Sequence, residues 1–154
     1  MKTGKDDDME EKYREIMNSI NHDNRFLQSS RMRVTEIRQG YAKMQMDLDE
    51  QILNMYGFVH GGALFSLADT AAGAASFTTG RPSVTLNASI NYIKPGTGGE
   101  LIAIANEISA GKSTGVYEVF IFNDENKLLC RATFSMYFLD VSRERSNKDQ
   151  QPES

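Results

Sequence analysis

One carboxylate stands in an otherwise uncharged run. The stretch HGGALFSLADTAAGAASF, from His60 to Phe77, carries Asp69 as its single acid, and no other charge falls between His60 and Arg81. An ionised carboxylate in apolar surroundings is costly unless it is paired or hydrogen-bonded, and Asp is a weak helix former. An ordinary mid-helix Asp points at solvent or bonds a backbone N–H. Here helical spacing gathers Leu64, Leu67, Ala68, Ala71 and Ala75 on a greasy side and leaves Asp69 with Ser66, Gly73 and Ser76. Small neighbours leave room beside a desolvated acid, and a substrate pocket built around a general base needs that room.

His60, Gly61 and Gly62 open the same helix. Free N–H groups and the positive end of the helix dipole converge at such a start, and two glycines let another group approach the backbone closely. The plain reading is a Gly-rich helix start. The functional reading is an oxyanion hole, donors placed where negative charge develops on a carbonyl oxygen. Gly61 and Asp69 are eight residues apart, ~12 Å along a helix rising 1.5 Å per residue. A base and an oxyanion donor must each lie ~3 Å from one reacting group. One copy of the chain does not easily supply both, so the spacing points to a site shared between two copies.

The elements that position these residues can be read outward from the helix. Met9, Tyr13, Ile16, Met17 and Ile20 recur at three- and four-residue steps, an amphipathic helix from about Met9 to Asn21 behind a frayed polar start at 1–8. RMRVTEIRQG is extended and turns at Gly40. YAKMQMDLD alternates, with Ala42, Met44, Met46 and Leu48 on the buried side. The loop NMYGFVHGG leads into the helix over Gly61 to Thr78, which Gly80 stops and Pro82 follows. Four strands are predicted next, at Ser83–Ile93, Glu100–Ser109, Thr114–Asn123 and Lys127–Leu139, joined by KPGTGG, AGKS and NDEN. Short turns between consecutive strands give an antiparallel sheet, and a helix apolar almost all round must be wrapped by it. The fold class is α+β. The segments are a polar stretch with its amphipathic helix over 1–20, one domain over 21–140, and a disordered polar tail over 141–154.

Composition narrows the function. The 154 residues fit one domain, 40% hydrophobic and 25% charged, with a net charge of −4. An acidic chain is a poor partner for nucleic acid or an anionic membrane. The apolar run from Gly61 to Phe77 falls short of the ~20 residues of a bilayer span, and the N-terminus lacks the apolar core of a secretory signal. Cys130 is the single cysteine; no disulfide framework or Cys-based zinc site is available, and His22 and His60 lack metal-ligand spacing. A reducing, cytoplasmic setting with no metal is expected. Nucleotide hydrolysis and dinucleotide binding find no GxxxxGK[ST] or GxGxxG element.

NMYGFVHGGALFSLADTAAGAAS resembles the signature of the hotdog-fold thioesterases, in particular the PaaI-like, phenylacetate-pathway type. SVTLNASINYIKPG and GKSTGVYEVFIFNDENKLLCRATFSMYF follow in the matching order, so that the resemblance spans roughly residues 20–140. It implies a long central helix wrapped by a curved antiparallel sheet, homodimers with shared active sites that pair into homotetramers, and hydrolysis of acyl-coenzyme A thioesters. It makes Asp69 the catalytic carboxylate and the Gly61 N–H the donor to the thioester carbonyl. Asn54 becomes the loop amide that helps place thioester and water, His60 the orienting motif histidine, and Thr85 the hydroxyl near the attacking water. Some members carry Glu for the Asp, and some a hydroxyl one helical turn later, where this chain has Gly73.

A thioester is already activated, so the site must position a water or nucleophile and stabilise the oxyanion. Asp69 serves either as general base or as direct nucleophile, and the sequence leaves both open. Coenzyme A enters as part of the substrate, and no separate cofactor is expected. Its anionic end needs donors and positive charge. Arg81, Lys94 and Lys112 offer the charge, and Gly111, Lys112 and Ser113 of GKST offer backbone N–H groups. Gly62 and Tyr92 belong to the same binding set. Met55, Tyr56 and Phe58 flank the loop and are candidates for the acyl pocket, whereas Met44 and Met46 fit the core. Cys130 fits a strand core with no partner base, and His22 a helix end. Two other readings stand beside hydrolysis: a non-enzymatic acyl-CoA-binding protein, and an acyl dehydratase on the same fold using His60 with Asp69.

Overall fold

The computed structural model describes residues 4–140. Helix α1 (Gly4–Asp23) and a one-turn helix α2 (Arg25–Ser29) lead into strands β1 (Met32–Arg38) and β2 (Tyr41–Asp47). Helix α3 (Gly61–Phe77) follows, then β3 (Ser83–Tyr92), β4 (Glu100–Ala110), β5 (Thr114–Asn123) and β6 (Leu128–Phe138). The six strands form one sheet in the order β1-β2-β4-β5-β6-β3, and every pair is antiparallel. Strand β3 is therefore an edge, although its neighbours in sequence lie mid-sheet.

The sheet wraps α3, which packs on all six strands. Leu64, Leu67, Ala68, Ala71 and Ala75 are the buried side, as helical spacing predicts, with Ala72 and Ala74 beside them. Alanine lets the sheet come close. The facing positions are Ala42, Met44 and Met46 of β2, Leu101, Ala103 and Ala105 of β4, Tyr117, Val119 and Ile121 of β5, and Cys130, Ala132 and Phe134 of β6. Each fully buried Leu or Ile side chain among them contributes ~1.5–3 kcal/mol. Gly40, at φ +67, turns β1 into β2 with no room for a side chain, since a Cβ would lie 2.9 Å from that of Glu107. The Gly40 N–H donates to Thr78 Oγ1 (2.8 Å), which ties that turn to the C-terminal end of α3.

Three details differ from the sequence-based expectation. Helix α1 begins at Gly4, not Met9, and Asp6 and Asp7 occupy its first turn, where acids suit the helix dipole. Helix α2 was not anticipated; Asn24 caps it by accepting from the N–H groups of Phe26 and Leu27, and Leu27 is buried. Ser76 lies on the Asp69 side, seven residues on and facing the same strand, but borders no open space: it is buried, bonded to the Gly73 carbonyl and the Ser83 hydroxyl. The tail assigned to 141–154 lies outside the described residues.

Candidate active site

Asp69 borders an open cavity of about 710 Å³ between α3, β3 and the α1–α2 junction. Its Oδ1 accepts a 2.7 Å hydrogen bond from the Thr85 hydroxyl. Oδ2 has no partner among the described residues. Gly73 lines the same cavity, and a Cβ built on it would meet nothing within 4 Å. The space expected beside the acid is therefore present on the Gly73 side. Thr85 reaches Asp69 from the edge strand, beside a bulge that separates it from Asn87 in the pairing with β6. Such a bulge re-aims side chains.

A second cavity, of about 350 Å³, holds the other candidates. Asn54, Phe58, Gly61, Tyr92 and Lys94 line it. His60 caps α3: its Nδ1 accepts from the Gly62 N–H at 2.8 Å, which leaves the ring proton of the neutral form on Nε2. The Tyr92 hydroxyl donates to the Gly61 carbonyl at 3.0 Å, and burial pushes the Tyr92 phenol pKa up. The Gly61 N–H itself carries no hydrogen bond among the described residues, so a preoriented donor is left at the positive end of a 17-residue helix. Asn54 Oδ1 accepts from the N–H groups of Tyr56 (2.9 Å) and Phe58 (3.1 Å). Its amide oxygen thus shapes the loop, and the Nδ2 donors remain for a ligand.

The remaining candidates lie in neither cavity. Arg81 donates to the carbonyls of Gly111 (3.0 Å) and Lys112 (2.8 Å), with its guanidinium 3.7 Å from the centre of the Phe138 ring. It fastens the α3–β3 connection to the β4–β5 turn. The Gly111 N–H donates to the Thr114 carbonyl, and the Ser113 carbonyl accepts from Phe138 N–H. Lys112 is exposed. Of the three acyl-pocket candidates in the loop, Met55 and Tyr56 are exposed, and Phe58 lines the second cavity. Cys130 is buried, and burial pushes its thiol pKa up to about 11, the opposite of what a nucleophile needs. No His60–Asp69 ion pair occurs among the described residues.

Sequence reasoning missed one wall of the Asp69 cavity. Ser19, Ile20, Asp23, Asn24, Arg25 and Phe26 line it from the α1–α2 junction. The available signal was Asn24 itself, a capping residue directly after the first helix and two positions before an aromatic.

Comparison with known proteins agrees with this architecture. The model of the thioesterase superfamily matches residues 56–130. The Escherichia coli acyl-coenzyme A thioesterase PaaI is 38% identical over 95 residues, 61% of this chain and 68% of that protein. The structure of the E. coli PaaI protein from the phenylacetic acid degradation operon superposes with a TM-score of 0.81 at 28% identity, covering 86% of this chain and 96% of that one. A Streptococcus mutans protein solved bound to acetyl-CoA superposes at 0.68 with 33% identity, covering 70% and 88%. The helix wrapped by an antiparallel sheet is the hotdog fold that the sequence resemblance implied. With that fold and these relatives, the chain belongs to the thioesterase superfamily as a PaaI-like thioester hydrolase.

Proposed function

We propose that the protein hydrolyses acyl-CoA thioesters with small, aromatic or medium-length acyl groups, in sites completed by two copies of the chain. The observation that carries this is the division of the candidate groups: Asp69 and Thr85 in one cavity, the free Gly61 N–H with Asn54 in another, ~12 Å along α3 by helix rise. A second copy brings its Gly61 to the first copy's Asp69. The open edge of β3 supports the pairing. Val84, Leu86 and Tyr92 on that strand and Ile93 beside it are 47–58% exposed, and an apolar unpaired edge is a liability until something covers it. Pairing of such dimers into a homotetramer, with Arg81, Lys94 and the 111–113 turn toward the coenzyme A end, follows the resemblance.

In this reading Thr85 holds Oδ1 of Asp69 and leaves Oδ2 to take a proton from one water. The water oxygen attacks the thioester carbonyl, and the second copy's Gly61 N–H stabilises the oxyanion, with His60 and Asn54 fixing the loop around it. Collapse breaks the C–S bond, and the thiolate leaves with a proton returned from Asp69, giving free acid and coenzyme A. A reducing cytoplasm suits that thiol product.

Free-thiol release from a panel of acyl-CoAs tests the reading. Asp69→Ala lowers turnover by at least ~100-fold, as loss of a catalytic base does, and stays folded because Ala suits a helix. Mixing this variant with Gly61→Pro, which lacks the N–H, restores about a quarter of wild-type activity, since half of randomly formed dimers are mixed and hold one intact site of two. No recovery from mixed dimers refutes the shared site. No thiol release by the wild type on any acyl-CoA refutes the substrate class.

A further inference from the structure

We infer that the α1–α2 junction is the end wall of the acyl-binding cleft and that Phe26 and Ile20 set the length of acyl group the enzyme accepts. This rests on the reading of Asp69 as the site of thioester attack. The cavity that contains Asp69 does not stop there. It follows one stripe of α3 through Thr70, Gly73, Ala74 and Phe77, eight residues or ~12 Å from the carboxylate at 1.5 Å per residue. The side facing this stripe is the α1–α2 junction. Gly73 leaves the floor of this trough open, since nothing lies within 4 Å of where its Cβ would be.

The wall is held in place. Asn21, in the last turn of α1, grips the backbone of β1 on both of its groups: Nδ2 donates to the Val34 carbonyl at 2.9 Å, and the Val34 N–H donates to Oδ1 at 2.7 Å. Leu27 buries itself completely and anchors α2 in the core. Beside these two anchors the chain presents Ile20 and Phe26 to the cavity, with Ser19, Asp23, Asn24 and Arg25 on the same wall. Phe26 is 52% exposed, and Phe77 at the far end of the trough is 41% exposed. Two aromatic rings left open on one concave surface, with a catalytic carboxylate at its head, fit an apolar acyl group lying along α3. A wall built of fixed side chains discriminates by length, because each methylene beyond it must displace packed atoms.

The test is the acyl profile of kcat/KM for acetyl-, hexanoyl-, decanoyl- and phenylacetyl-CoA. Phe26→Ala removes an exposed ring and raises the decanoyl-to-hexanoyl ratio by at least ~10-fold. Ser19→Trp places bulk at the same wall from an exposed helix position and lowers that ratio by a similar factor. A merely structural role would scale all four substrates together. If both variants keep the wild-type ratios, the wall is refuted while acyl-CoA hydrolysis stands. If the wild type releases thiol from none of the four, the underlying reading falls, and this one with it.

Discussion

Proline at position 61 removes one hydrogen-bond donor from the site and nothing that the helix uses. Gly61 is the first residue of α3, and its N–H has no acceptor among the described residues. Proline is well tolerated at that position because the missing N–H has no intrahelical partner and the fixed φ suits a helix. The preceding residue must then be extended, and His60 already is, at φ −61 and ψ 137. A Cβ at 61 lies 3.5 Å from the Tyr92 ring, an ordinary contact. The folded state is therefore undisturbed, and the stiffer unfolded chain adds ~0.4–1 kcal/mol of stability. If the N–H stabilises the oxyanion, its loss lowers kcat by ~100–1,000-fold, with the melting temperature held or raised. Gly61→Ala keeps the donor and keeps the activity. Thiol release and a thermal melt on the three proteins decide the matter. A fall in kcat of less than ~10-fold in a folded Gly61→Pro protein refutes the assignment, because among the described residues the next backbone donors of this helix start are engaged: the Gly62 N–H by His60 Nδ1 at 2.8 Å, and the Ala63 and Leu64 N–H groups by the His60 carbonyl.

Gly73→Ala raises stability by up to ~1 kcal/mol, the helix-propensity gain, because its methyl enters open space; a thermal melt that moves downward would show the trough closed at that point. Cys130 resists thiol reagents in the native protein at neutral pH and reacts on unfolding, which a thiol titration with and without denaturant reads directly. Its folded pKa of about 11 against an ordinary 9.0 means the native state holds the proton more tightly. The corresponding stability is intact below pH 9 and is lost as pH rises toward and through 11, so Cys130→Ser removes part of the alkaline slope in a denaturation series.

Legibility in the sequence tracks the range of the forces involved. The alternation in YAKMQMD, the alanine face of α3 and the stop at Gly80 are local patterns, and the structure reproduces each. Helix α2 escaped because five residues cannot show a period; Asn24 and Leu27 specify it through one cap and one anchor. Helical spacing put Ser76 on the Asp69 side, but its burial escaped because it depends on contact with Ser83, across the connection to β3. The α1–α2 wall was invisible for the same reason. It exists because Asn21 meets Val34, thirteen residues away, and no window on the sequence contains that approach. Among the candidate catalytic residues, Asp69 and Gly61 stood out by their chemistry, one acid among alanines and two glycines at a helix start, whereas Asn54 and Thr85 entered only through the family resemblance.

The surroundings of Asp69 say more than its identity does. A lone acid in an apolar helix reads from sequence as a buried, desolvated group. In one copy of the chain it is only partly buried, held by a single hydroxyl beside an open cavity. A general base gains most when water is excluded around it, and one copy does not exclude it. In the proposed shared site, the missing cover and the missing oxyanion donor have the same source. In the proposed dimer, a second copy laid along the open β3 edge would bury the exposed Val84 and Leu86, on the strand that carries Thr85, and dry the cavity as it delivered the donor. On the proposed shared site, assembly and activation are one event, and an isolated chain, fully folded, would hold a carboxylate too wet to work and an N–H with nothing to stabilise.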